Sequence, residues 1–150
     1  MTYVVYPLPL DNWDLFKPDV MRFCETFRLF PPEADCTLTV MCCSRDPNDE
    51  ERQLFEPLPA KVEYHRYDGK GFDIGAHQHF AFQAGEAFCV NVSTRVYFHR
   101  EGWLKKILDA RDYFGPGLFG TAASREVGYK VSRDRLRIHF RTHCYGIEAS

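Results

Sequence analysis

Apolar and polar positions run along this chain in two rhythms, and the change from one to the other marks the elements. TLTVMCC (37–43), VEYHRY (62–67) and AFCVNV (87–92) are short β-rich runs. The last is nearly all apolar, as expected of a strand covered on both faces. The opening MTYVVYPLPL also reads as a strand, without the basic leader or small-residue cleavage site of a secretory signal. Between these runs the period lengthens. Val20, Phe23, Cys24 and Phe27 fall at i, i+3, i+4 and i+7, one face of a helix with Pro18 in its first turn and Pro31–Pro32 as its stop. After a polar turn over 44–50, a short helical piece runs through Phe55 and breaks at Pro57 and Pro59.

The later elements follow the same logic. The loop DGKG leads to Asp73, read as the N-cap of a helix over Ile74–Gln83, and Gly85 is its stop. Another helix runs from about Glu101 to Phe114, with Trp103, Ile107, Ala110 and Phe114 as its inner stripe and Gly115–Pro116 as its end. Two further strands are predicted, over 117–123 and over 136–147. The locally basic RDRLRIHFR (133–141) alternates charged and apolar residues like a strand with one wet face. Strand, crossover, strand, helix, strand, helix predicts a three-layer α/β fold with a mostly parallel central sheet, in one domain spanning 1–150.

Composition narrows the class. Hydrophobic residues make up 45% of the chain and charged residues 27%, a globular balance rather than a disordered one. The formal net charge of -2, with no run of Lys or Arg, gives no footprint for nucleic acid. No stretch has the length to span a bilayer. The six cysteines include no C-x-x-C spacing, so they read as buried free thiols of a reducing cytoplasm.

Parallel sheets bind ligands at the carboxyl ends of their strands. Here those ends are Cys42–Arg45, Tyr67–Gly71 and Asn91–Arg95, where small, polar and basic residues gather on apolar strands. The most informative stretch is YDGKGFDIGAHQ (67–78), in which a strand feeds a glycine-bearing loop and then a helix N-terminus. Free amides there suit a phosphate. An ordinary strand–turn–helix with an Asp cap accounts for the same residues. The glycines do not form G-x-G-x-x-G, which argues against a nicotinamide or flavin site.

DIGAHQ, VYFHREGWL (96–104), GPGLFGTAAS (115–124) and HFRTHC (139–144) together resemble the successive blocks of a bacterial family of GT-A-type glycosyltransferases related to family 2. The opening, with Pro7-x-Pro9, DNWDLFKPDV, RFCETF and PPEADCTLTVMCC, is similar to the N-terminus of that family. The resemblance implies a Rossmann-like GT-A fold and a nucleotide-diphosphate sugar donor, most often a UDP-sugar, whose sugar passes to an acceptor. It implies that Cys43, Ser44 and Arg45 border the nucleotide, that Asp68 contacts base or ribose, and that Gly71-x-Asp73-x-Gly75 shapes the pocket.

Two departures from the family pattern qualify these expectations. Such enzymes hold a Mg²⁺ or Mn²⁺ ion on a D-x-D element, and the matching position here is Ser93-Thr94-Arg95, with no carboxylate between Glu86 and Glu101. Arg95 is then either the cation facing the diphosphate or a solvated loop arginine. Similar proteins also continue past the RTHC block into a region that supplies the acceptor pocket and the catalytic base, and no base is assignable here. A non-catalytic interaction module on the same scaffold is the alternative. A metal hydrolase built on His99, His139 or His143 has no ligand motif behind it. His77 and His79, two apart on a helix, diverge.

Overall fold

The computed structural model describes residues 1–120, 123–126, 137–140 and 144–149; for 123–126, 137–140 and 149 it describes only the backbone. The elements in chain order are β1 (Thr2–Leu8), a 3-10 turn (Leu10–Asn12), α1 (Trp13–Leu29), β2 (Thr37–Cys43), α2 (Asp49–Gln53), β3 (Lys61–Tyr67), α3 (Phe72–Ala84), β4 (Ala87–Val92), α4 (Trp103–Phe114), β5 (Phe119–Gly120), β6 (Ala123–Glu126), β7 (Arg137–Phe140) and β8 (Cys144–Ala149).

Among the described residues, six strands form one sheet in the order β3-β2-β1-β4-β8-β5. β1, β2, β3 and β4 run parallel, while β8 lies antiparallel between β4 and β5. The expected α/β architecture with a mostly parallel sheet is therefore present. Alternation sorts the side chains of each strand onto two faces. Val4, Tyr6 and Leu8 of β1 face the core shared with Phe23 and Phe27 of α1 and Leu104 of α4. Val5, Met41 and Cys89 face the other way, onto Ala76 and Phe80 of α3. Aromatic contacts fill the first core, with Tyr6 stacked on Phe23 at 3.9 Å between ring centroids. All of Val20, Phe23, Cys24 and Phe27 are buried, as their spacing predicts.

Several boundaries differ from the sequence reading. α1 starts at Trp13, so Pro18 lies inside the helix rather than in its first turn. Asp14, whose carbonyl loses its partner to Pro18, is exposed, so that carbonyl is on the solvent side of the helix. α3 starts at Phe72, and its cap is Gly71 at φ 113°, not Asp73. Only glycine takes that backbone conformation without strain. Asp73 is thereby moved into the first turn. α4 starts at Trp103 after Gly102; Leu104 is fully buried, while Phe114, expected on the inner stripe, is 75% exposed. The strand expected over 136–147 is two: β7 pairs with β6 in a separate two-stranded sheet, and β8 pairs with β4. Alternation alone does not reveal that a chain changes sheets partway.

Candidate functional site at the carboxyl ends of β1 to β4

The order β3-β2-β1-β4 contains the reversal at which open parallel sheets take their ligands. The chain builds outward from β1 through β2 to β3, then returns to place β4 on the other side of β1. The two connections leave in opposite directions at the carboxyl ends of β1 and β4.

Thr94 holds these two ends together. It is buried, its hydroxyl donates to the Pro7 carbonyl at 3.0 Å, and its own carbonyl accepts from the Tyr6 hydroxyl at 3.2 Å. The same hydroxyl lies 3.5 Å from Oδ1 of Asp73, which brings two of the expected site residues together. Ser93 turns the loop through its carbonyl, which accepts from the amide of Val96. Arg95 points toward α1, with Nε 3.6 Å from Asp19 and its guanidinium over the Phe16 ring.

At the tip of β2, Cys43 is half-buried. Its thiol is pushed up to about 11, first by burial and then by the carboxylates of Asp11 and Asp73. Burial likewise lifts Cys24 and Cys42 to about 12 and Cys36 and Cys89 to about 11, so these thiols are protonated and unreactive at neutral pH. Ser44 takes a left-handed conformation, φ 74°, which lets its amide donate to the Tyr67 carbonyl at 3.1 Å. Its carbonyl accepts from Arg66, and Arg66 also pairs with Asp68 at 2.9 Å, so one guanidinium links the tips of β2 and β3.

Arg45 turns away from this group. It forms a two-pronged pair with Glu51, at 2.7 and 2.6 Å. Glu51 is 2% exposed and also closes a capping box with Asn48 at the start of α2. The Arg45 guanidinium holds its carboxyl below the ordinary range. Gly71 caps α3, and Gly75 packs so closely that a Cβ there would collide with the Tyr67 hydroxyl and the Lys70 carbonyl. That hydroxyl donates to the Lys70 carbonyl at 2.7 Å and sets the shape of the loop.

A polar group that the sequence reading missed sits on the α3 side of the β4 tip. His77 is 2% exposed. One ring nitrogen, Nε2, lies 3.1 Å from the Val92 carbonyl, and Nδ1 lies 3.4 Å from the Tyr145 hydroxyl. A carbonyl can only accept, so Nε2 carries the proton and Nδ1 accepts from the tyrosine. Burial drives the His77 imidazole down to about 4 and outweighs the Val92 hydrogen bond, so the ring is neutral. Burial raises Tyr145 as well; a hydrogen bond from Asn91 opposes this and the Asp73 charge adds to it. Asn91 Oδ1 is buried without a partner among the described residues. Two signals pointed here: Asn91 is the lone polar residue of AFCVNV, and His77 falls one helical turn after Asp73.

The remaining histidines play no common part. His79 is exposed against Gln83, and His99 packs on Tyr97. The side chains of His139 and His143 lie outside the described residues. No three His, Cys, Asp or Glu side chains converge to hold a metal among the described residues. No helix among them is long and apolar enough to cross a membrane.

Strand order, parallel pairing and a polar edge at the carboxyl ends define a Rossmann-like α/β protein. Among solved structures it is similar to 4-diphosphocytidyl-2C-methyl-D-erythritol synthase from Anaerococcus prevotii DSM 20548, with a TM-score of 0.60 over 99% of this chain and 70% of that one, at 10% sequence identity. At that identity the likeness establishes the fold. No family model and no curated protein matches the sequence.

Proposed function

We propose that this chain binds a nucleoside diphosphate sugar across the carboxyl ends of β1 to β4, as a domain of the glycosyltransferase type. The observation that carries the reading is the reversal of strand order between β1 and β4, the position at which open α/β sheets take ligands, with Ser93, Thr94 and Arg95 on the loop after β4 and the Thr94 hydroxyl 3.5 Å from Asp73. The fold supports it, since the similar synthase is named for a diphosphocytidyl product. The order of the family-like blocks along the sequence supports the sugar nucleotide in particular. In this reading Asp68 contacts base or ribose, and Cys43, Ser44, Gly71 and Gly75 shape the nucleotide side of the pocket. Arg95, 66% exposed and paired with Asp19 at 3.6 Å, turns to meet the diphosphate. Arg45, expected to border the nucleotide, turns to Glu51 instead and has no part in this reading.

Calorimetric titration with UDP, GDP, CDP and their sugars, with and without Mn²⁺, tests the reading. Binding of at least one sugar nucleotide is expected, and silence from all of them refutes it. Arg95→Ala weakens a nucleoside diphosphate by about tenfold and the bare nucleoside little. Equal loss for both removes its assigned role.

A non-catalytic module on this scaffold is the second reading. It is favoured by the pairing of Arg45 with Glu51 and of Asp68 with Arg66, which occupies groups a donor would engage. Sugar transfer or donor hydrolysis by the purified protein excludes it.

A further inference from the structure

The geometry points to a second ligand site, on the α4 side of the β4 tip, that takes an amphipathic anion: an alkyl chain ending in one carboxylate or phosphate. A cavity of about 720 Å³ lies between the loop after β4, α4, β5 and the first residue of β8. That volume falls within the roughly 300–1,000 Å³ of ordinary small-molecule sites.

The walls are apolar and held in place before any ligand arrives. Phe98 and Trp103 stack at 4.2 Å with ring planes 22° apart. The Trp103 indole N–H donates to the Phe30 carbonyl at 3.2 Å, and the Phe98 amide donates to the Thr26 hydroxyl at 3.1 Å. The Trp103 ring and the Phe98 backbone are thus tied to α1 or to the residue that ends it. Ile107 and Phe119 complete the apolar lining.

The rim carries the opposite chemistry. Arg100, Lys106 and His99 line the cavity, and no carboxylate does so among the described residues. This is notable in a chain with 21 acidic and 19 basic residues. The neighbouring cations of α4 have partners, Lys105 in Asp109 and Arg111 in Glu148. Arg100 and Lys106 enter no ion pair among the described residues. An apolar chain fills the cavity, an anionic head meets the two cations, and a cationic head is repelled. Cys144 of the lining stands opposite Val92 in the sheet, which places the cavity beside the β4 end that leads into Ser93–Arg95. The site requires no nucleotide, so its test is separate from that of the nucleotide crevice.

Trp103 is one of two tryptophans, and Trp13→Phe leaves it as the single reporter. Dodecanoate and dodecyl phosphate are titrated below their micelle concentrations, with dodecanol and dodecyltrimethylammonium as controls. A saturable change in Trp103 emission with either anion is expected, and the tighter of the two identifies the head group. Replacing both Arg100→Ala and Lys106→Ala, each exposed, weakens the anion by about tenfold and leaves dodecanol unchanged. Ala110→Phe fills the cavity without adding a second tryptophan and abolishes binding with an unchanged far-UV spectrum. The site is overturned if neither anion gives a saturable response, if the ammonium binds as tightly as dodecanoate, or if the double variant keeps full affinity for both anions.

Discussion

Lowering the pH from 7 toward 4 protonates His77 in the unfolded chain well before it does so in the native one. The unfolded imidazole titrates near 6.5, whereas burial holds the native ring at about 4. Above pH 6.5 both states are neutral and the group contributes nothing that varies. As the pH falls through 6.5 the unfolded state gains a proton that the native state refuses, so stability declines. The decline continues until the native ring titrates near 4, and below that it levels off. A gap of about 2.5 units at 1.36 kcal/mol each amounts to about 3 kcal/mol. That is a large share of the roughly 5–15 kcal/mol that ordinarily holds a domain together. The ring is 2% exposed, so solvent offers little relief. Protonation also costs the acceptor that Tyr145 uses, because imidazolium has none.

Urea unfolding at intervals between pH 7.5 and 4.5 measures this. His77→Gln is the reference, since its amide nitrogen reaches the Val92 carbonyl without titrating. The wild-type curve is expected to fall relative to the variant by about 2.5 kcal/mol at pH 4.5. Other carboxylates cancel in the difference. An imidazole that titrates near 6.5 by proton NMR in the native protein, or parallel curves for the two proteins, refutes the argument.

Arg45→Ala leaves the buried Glu51 carboxylate unpaired and destabilises the fold by about 2 kcal/mol, below the roughly 3–5 of a fully buried pair because Arg45 is 41% exposed; chemical denaturation reads it, and an unchanged midpoint contradicts the pairing. Gly75→Ala drives a methyl group into the Tyr67 hydroxyl and the Lys70 carbonyl and costs about 1–3 kcal/mol; a variant as stable as the parent shows that the loop is not packed as described. Thr94→Val removes the hydroxyl that ties β4 to Pro7 and orphans a carbonyl, for about 1–2 kcal/mol; amide exchange at the ends of β1 and β4 is expected to speed up, and unchanged protection there refutes the tie. Phe27→Ala empties a fully buried aromatic site between Phe23, Phe98 and Trp103 and lowers stability by about 3–5 kcal/mol in thermal or urea unfolding; a loss below 1 kcal/mol is incompatible with that packing.

The elements themselves were legible in the sequence because their signals are local. TLTVMCC and AFCVNV coincide with β2 and β4 to the residue, and the Val20–Phe27 stripe is the buried face of α1. Burial of alternate or of i, i+3, i+4 positions follows from backbone geometry alone, so the pattern survives without knowledge of neighbours. Tertiary structure decided whatever depends on which residue stands across the sheet. The strand order that puts β4 beside β1 is one such fact, and it brings Thr94 to Pro7 and Asp73 across 87 and 21 residues of chain. The partner of Arg45 is another, six residues ahead but reached only because α2 folds Glu51 back beneath it. The group around His77 joins α3, β4 and β8, and no periodicity encodes that meeting, because hydrogen bonds between distant segments leave no rhythm along the chain. For the same reason the cavity against α4 was invisible in the sequence: Ile107 reads as part of a helix's inner stripe, and only its placement in space against Phe98 and Phe119 leaves room between them.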